Sequence, residues 1–371
     1  MNFDFSDEQV QLQDAVQRWV DKNYSFDHYR ATVKRGGFDC ANYAQLADLG
    51  LCGLLVTEDH GGLGMGPVEA MLVMQALGAG LVLEPLTHTF ITSSVLARFA
   101  PPELQAQWLP GVASGETLAV LAWQERSSRY RHEKCMAKAA PAQEIHALTA
   151  IKNIVPAGDR ADAFIVPALL DGALALFWVE RGAAGVQTRG YLTQNGSRAA
   201  DVTFTNAPAT LITRDGLTAL ELAMDIGIAS ACAQGVGLMD KTVRLTAEYL
   251  NTRKQFGVAI GTFQALRHRM ADMKMQLELG RSMSYYATLK LGAPPPERRA
   301  ALARAKVQLG QSMRFVGQQS VQLHGGIGVT DEYIGSHYFK HLTQLELSFG
   351  DTLHHLGEVS KHMGETAGVF A

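Results

Sequence analysis

The chain has 371 residues, which is long for a single core and sets two or three domains as the expectation. Apolar residues make up 47% and charged residues 19%, and the formal net charge of −3 leaves no general attraction to nucleic acid or anionic lipid. Apolar runs such as 71–91 are broken by Gln75, Gly78, Gly80, Glu84 and Pro85, so no membrane span is expected.

The opening MNFDFSDEQVQLQD is acidic and polar and does not read as a secretory leader. Ser6 with Gln9 three residues on forms a capping-box pattern. It precedes an apolar stripe at Val10, Leu12, Val16, Trp19 and Val20, and together they predict a first helix. Helical periodicity continues through residues 1–116. From 117 to 215 the pattern changes to short β-prone segments, TLAVLAWQ, EIHALTAIKNIVPA, DAFIVPALL, ALALFWVE, AGVQTR and ADVTFTNAPATLI, separated by Gly, Pro, Asp and Asn. Residues 216–371 return to long helices, with apolar periodicity over Leu217–Leu250 and again over 298–323. GAPPPERR at 292–299 ends one helix and starts the next, since its prolines forbid continuation. The order is helical, β, helical, an α+β protein of three segments.

The cysteines Cys40, Cys52, Cys135 and Cys232 are scattered, with no CxxC spacing, and read as reduced thiols of a cytoplasmic protein. The histidines show no metal-ligand spacing with a supporting acid cluster, so no metal is expected. One stretch stands apart. In YLNTRKQFGVAIGTFQALRHRMADM, Arg253, Lys254, Gln255, Phe256 and Gly257 mix surface and core chemistry within five residues, with Gln264 seven residues beyond Gly257. Such a mixture suits a place where the backbone bends and a ligand is held.

That stretch, with GVGLMDKTVRLTAEYLN before it and QLHGGIGVTDEY at 322–333, resembles the carboxy-terminal signatures of the acyl-CoA dehydrogenases. FSDEQ at 5–9 and LADLGLCGLLVTEDHGGLGMG at 46–66 resemble the family's amino-terminal segments. The resemblance implies amino-terminal helices, a central β-barrel-like domain and a carboxy-terminal four-helix bundle, with FAD as cofactor. It also implies that Arg253 reaches across a subunit interface to the diphosphate of a neighbour's FAD, a task that suits a guanidinium fork. Phe256 would lie beside the adenine. Gln322 and the Gly325–Gly326 pair would make the second contact to the same diphosphate, the glycines permitting close backbone approach.

The resemblance also marks departures. The family removes an α-proton with a glutamate, in a Y-E-G-T segment, while a β-hydride passes to flavin N5. Counting from Glu332–Tyr333 without gaps, Phe349 stands in the glutamate's place. The alternative base position, on the helix leading into GVGLM, is Gly227. Neither can accept a proton. Asp225 lies about 200° round the helix from Gly227, Glu221 about a turn and a half before it, and Glu346 almost one turn before Phe349. Asp225 and Glu346 are the first candidates for a relocated base. Where the family carries T-E-P-x-x-G-S-D on its flavin face, this chain has QERSSRYR and keeps only Glu125. Where the family has W-I-T/S against the flavin, Ile154 replaces the aromatic residue and Pro156 the hydrogen-bond donor.

Residues lent to a neighbour's FAD are thus kept, while residues used on the chain's own flavin and substrate are lost. TRKQFGVAIGTFQALRHRMADM, VPAGDRADAFIV and SFGDTLHHL resemble the small subunits of two-component acyl-CoA dehydrogenases of the pimeloyl-CoA and steroid side-chain type. The implied partners are an acyl-CoA substrate, a homologous glutamate-bearing large subunit in a heterotetramer, and an electron-transferring flavoprotein as acceptor. A homo-oligomeric enzyme with a relocated base, and a catalytically silent assembly protein, remain the alternatives.

Overall fold

The computed structural model describes residues 4–132, 134–142 and 145–367. Six helices come first: α1 (Asp7–Asn23), α2 (Phe26–Lys34), α3 (Cys40–Asp48), α4 (Pro67–Ala79), α5 (Leu86–Phe99) and α6 (Pro102–Ala113). The capping box forms as the sequence predicts. Ser6 accepts from the Gln9 backbone N–H at 3.2 Å, and Gln9 Oε1 accepts from the Ser6 N–H at 3.0 Å. Helices α4 and α5 are buried along most of their length, as expected where a helix has no continuous polar face.

Seven strands follow: β1 (Ala119–Leu121), β2 (Lys138–Ala142), β3 (Ile145–Pro156), β4 (Ala163–Leu170), β5 (Ala173–Glu180), β6 (Val186–Leu192) and β7 (Arg198–Thr213). Pairings β2–β3, β3–β7, β7–β5, β5–β4 and β4–β2 close a ring, with β1 alongside β4 and β6 alongside β7. Closure leaves the inward side chains Phe164, Phe177 and Phe204 no more than 1% exposed. Strand β2, KAAPA, is absent from the sequence reading, because it lacks the β-branched and aromatic residues that mark a strand. In the β3–β7 ladder the register runs Lys152↔Val202 and then Val155↔Ala200, so Asn153 and Ile154 together oppose Asp201. This is a β-bulge, with Ile154 in the left-handed region at φ 53.

The remainder is helical apart from one small hairpin: α7 (Gly216–Thr252), β8 (Lys254–Gln255), β9 (Val258–Ala259), α8 (Gln264–Lys290), α9 (Pro295–His324), α10 (Ile334–Leu347) and α11 (Thr352–Ala367). The break at GAPPPERR falls where the prolines require it. Helix α7 is long and apolar enough to cross a membrane by length and composition, yet 94% of its apolar 18-residue window is buried in the protein. The chain divides into two compact units: the residues up to Tyr29 with Met71–Val82 and everything from Ile228, and Arg30–Ala70 with Leu83–Gly227.

Within the first unit, α4 and α7 approach back to back. A Cβ on Gly78 would strike the Gln234 carbonyl, and one on Gly237 would strike that of Gln75, so both positions require glycine. Helix α9 packs on α7 through Thr246 and Ser320, whose hydroxyls are 3.0 Å apart, and on α8 through Ser312, which donates to Gln276 at 2.8 Å. Helices α10 and α11 both pack on α9.

Candidate functional site

The two segments singled out by the sequence meet at one end of the first unit. Tyr249, in the last turn of α7, donates its hydroxyl to the His324 carbonyl at 3.3 Å, and the two rings lie 4.5 Å apart. His324 ends α9, and its ring also stands 5.1 Å from that of Tyr333. One turn beyond Tyr249 comes Arg253; immediately after His324 come Gly325 and Gly326. Helix α8 starts at the same end, where Arg269 donates to Gln319 Oε1 at 2.9 Å.

Strands β8 and β9 form a two-residue hairpin whose turn is Phe256–Gly257, with φ 53 and 82. A turn with both central φ positive matches the twist of the hairpin and favours Asn or Gly at its first position. Phe256 takes that position instead and is 92% exposed. Arg253 and Gln322 are exposed too, and among the described residues the Arg253 guanidinium makes no hydrogen bond or ion pair. A Cβ placed on Gly325 (φ 63) or on Gly326 would meet nothing within 4 Å. A cation, an aromatic face and bare backbone are therefore all turned outward.

The candidate base positions differ in kind. Phe349 lies in a left-handed turn between α10 and α11 (φ 58, followed by Gly350 at φ 105). Buried Lys306 holds that turn, its amine donating to the carbonyls of Leu345 at 3.1 Å, Glu346 at 2.6 Å and Gly350 at 2.9 Å. Burial pulls the Lys306 amine down to about 8. His355 is bonded to the Phe349 carbonyl at 3.0 Å.

Glu346 is not placed as a base. It is 5% exposed, and its Oε1 accepts from the Thr352 backbone N–H at 2.9 Å and hydroxyl at 2.6 Å, capping α11. Asp225 is fully buried on α7, and Gly227 is buried beside it. Glu221, half-buried, has His132 Nε2 3.9 Å from its carboxylate. Sequence reasoning missed Lys306, although it sits on the apolar stripe of Leu302, Ala305, Leu309 and Met313. A lone lysine in that stripe was the available signal.

In the second unit, Glu125 is also spent. It lies 2.7 Å from the fully buried Lys152 Nζ and accepts from the Met136 N–H at 2.8 Å and that of Ala137 at 3.3 Å. Lys152 also donates to the Pro167 carbonyl at 2.9 Å. Among the causes that act on the Glu125 carboxyl, burial raises its pKa, but Lys152 and the two N–H groups outweigh it and hold the pKa below the usual range. Pro156 ends β3, opposite Ala199, and offers no N–H.

Residues 6–116 match the family described as "Acyl-CoA dehydrogenase, N-terminal domain" and residues 214–364 the one described as "Acyl-CoA dehydrogenase, C-terminal domain". The chain belongs to the acyl-CoA dehydrogenase family. It is 28% identical to acyl-CoA dehydrogenase FadE27 of Mycobacterium tuberculosis, over 99% of this chain and 100% of that one. It superposes on a chain of the ChsE4–ChsE5 complex from Mycobacterium tuberculosis with TM-score 0.90 at 27% identity, covering 99% and 100% of the two chains. A glutaryl-coenzyme A dehydrogenase in its glutaryl-CoA complex shares the fold with TM-score 0.91 at 21% identity, covering 100% and 98%.

Members of this acyl-CoA dehydrogenase family are FAD flavoproteins, oxidoreductases that act on a CH–CH bond of an acyl-CoA. The end of the first unit fits the diphosphate of that cofactor: it offers an arginine with no ion partner of its own among the described residues and a glycine pair that a Cβ would not obstruct. The face carrying Glu125, Ile154 and Pro156 does not fit the flavin ring. Its carboxylate is tied to Lys152, and proline stands where the donor belongs.

Proposed function

We propose that this acyl-CoA dehydrogenase chain is one component of a two-component enzyme, to which it supplies the diphosphate half of an FAD site for a homologous, glutamate-bearing partner. The observation that carries the reading is the split itself. Arg253, Phe256, Gln322, Gly325 and Gly326 face outward from one end of the first unit, while the chain's own base and flavin-ring positions hold Phe349, Gly227, Ile154 and Pro156. FAD would take up the β-hydride; this chain's part is to bind and orient, with Arg253 a guanidinium fork against phosphate oxygens and Gly325–Gly326 a stretch of backbone without side chains that the same anion can approach closely.

The reading includes a heterotetramer as the assembly, an acyl-CoA with a bulky or carboxylated acyl group as substrate, an electron-transferring flavoprotein as acceptor and the cytoplasm as location. The division into 1–116, 117–215 and 216–371 goes with it. The likeness to a chain of the ChsE4–ChsE5 complex supports the paired arrangement. A self-sufficient enzyme finds no support, since Glu346 is engaged as a helix cap and Asp225 is fully buried. The test is expression alone and with a homologous glutamate-bearing chain. Alone the chain should purify colourless and inactive, and the pair should carry FAD and dehydrogenate acyl-CoA. A yellow, active single chain would refute the split site and leave the family assignment intact.

A further inference from the structure

Between the glycine pair and the rest of α9 stands His324, whose side chain has no part in the half-site as described so far. We propose, resting on the half-site reading, that the His324 imidazole is its positioning residue, the wedge that orders Gly325 and Gly326 for the diphosphate.

Glycine has more backbone freedom to lose than any other residue, and a Cβ on Gly325 or Gly326 would meet nothing within 4 Å, so the pair has no packing of its own. Its order comes from what flanks it. His324 closes α9 in a helical conformation (φ −82, ψ −19). The chain then leaves at Gly325 with φ 63 and ψ −140, a region open in practice only to glycine. The Gly325 N–H bonds back to the Val321 carbonyl. On the far side, a Cβ on Gly328 would stand 3.1 Å from the His324 Cβ and 2.9 Å from the Val321 carbonyl oxygen. The turn over 325–329 therefore folds back against the same last turn of α9.

The ring is held from three directions. His324 is buried, and its Nδ1 lies 2.8 Å from the Ser320 carbonyl, which can only accept, so Nδ1 carries the proton. Burial lowers the pKa, against the opposing Ser320 bond, and leaves the imidazole neutral at pH 7. The Tyr249 ring of α7 packs on it at 4.5 Å and the Tyr333 ring, just before α10, at 5.1 Å. Nε2 is buried and has no hydrogen-bond partner among the described residues. A phenyl ring in the same slot would avoid that cost, so an imidazole is not the choice that most stabilises α9. What the imidazole adds is the Nδ1–H bond. It fixes the ring's rotation between the two tyrosines, and with it the exit of the chain at Gly325.

The test compares the unaltered full chain with His324→Ala and His324→Phe, each alone and assembled with a homologous glutamate-bearing partner. In the pair, His324→Ala should raise the Kd for FAD about tenfold or more. Once saturated with FAD it should keep the parent's kcat and its KM for acyl-CoA, because the wedge orders the diphosphate site and touches no reacting atom. His324→Phe restores a ring without the Nδ1–H bond and should recover part of the affinity; it also fills the slot, which keeps the test readable where alanine would loosen the helix end. In the chain alone, hydrogen exchange at the Gly325 amide should be about tenfold faster in His324→Ala, with the amides of Leu302–Met313 in the middle of α9 unchanged. Lower kcat at saturating FAD, or faster exchange along the whole of α9, would mark a merely structural residue and overturn the proposal. Unchanged FAD affinity in His324→Ala would overturn it too. An unaltered pair that takes up no FAD would refute the half-site itself. Exchange at Gly325 in the lone chain needs no flavin and would still decide whether His324 orders the glycines, so the two readings fail separately.

Discussion

The Tyr249 hydroxyl and the His324 carbonyl, 3.3 Å apart, tie the last turn of α7 to the end of α9. This bond sets Arg253 and the Gly325–Gly326 pair on one rigid end of the first unit, although they are far apart in sequence. Arg253→Lys keeps the charge and loses the fork, so the Kd for FAD in the assembled pair should rise about tenfold or more, corresponding to about 1.4 kcal/mol or more. Tyr249→Phe removes one hydrogen bond, about 1 kcal/mol of stability, and should weaken FAD binding less. Flavin fluorescence titration of both variants checks the order.

Gly326→Ala separates a structural role from a ligand role. The added Cβ meets nothing within 4 Å, so the unfolding free energy of the chain alone should change by less than about 0.5 kcal/mol. If a diphosphate approaches that backbone in the pair, the same methyl group should lower FAD content sharply. A variant with unchanged stability and unchanged flavin would remove Gly326 from the site.

Lys152 and Glu125 form a buried pair in the barrel wall. Lys152→Met leaves a buried carboxylate without its cation and should cost about 3–5 kcal/mol in urea unfolding. Glu125→Leu combined with Lys152→Met removes both charges and should cost less than the single change. Equal costs would show that the ion pair is not what holds this wall.

Much of the fold was legible because local signals and tertiary packing agree. The Ser6–Gln9 box, the proline break before α9 and the alternation in β3 and β7 all appear where the residues put them. Strand β2 was illegible because Lys138–Ala142 is formed by its neighbours' pairing demands rather than by its own propensity. The half-site motifs could be read as segments, but their meeting depends on Tyr249 and His324, a tertiary contact that no local pattern encodes. Glu125 looked like a retained flavin-face residue, and only the structure brings Lys152 to it across the barrel wall. Glu346 could be read from the sequence as a relocated base or as a capping acid, and Thr352 within hydrogen-bond reach makes it a cap.

The turn at Phe349 should respond to alkaline pH through Lys306. Burial lowers its folded pKa from the ordinary 10.5 to about 8, against the opposing pull of Cys232, Glu346 and Asp351. Between those values the unfolded chain binds a proton that the folded chain does not, so this residue's contribution to stability rises as pH rises from about 8 to 10.5. Lys306→Met removes the proton site and should flatten that part of the pH dependence by up to about 3 kcal/mol, while lowering stability at neutral pH by stranding three carbonyls. Identical slopes in the two proteins would mean that the amine is not held depressed.

Phe349→Glu places a carboxylate where the family has its base, on a turn already clamped by Lys306 and by His355 at the Phe349 carbonyl. Position 349 keeps φ 58 in either case, a cost shared by both side chains, so the variant should fold with the stability of the parent to within about 1 kcal/mol. It should nevertheless stay inactive as a single chain. A base alone does not supply the missing flavin-ring contacts: Pro156 still has no N–H, Ile154 is still aliphatic and Glu125 is still bound to Lys152. Acyl-CoA oxidation by the single substitution, measured with an artificial electron acceptor, would mean that the chain holds a working flavin of its own. In that case the lost glutamate, and not a division of the site between two chains, would be the whole of its deficiency.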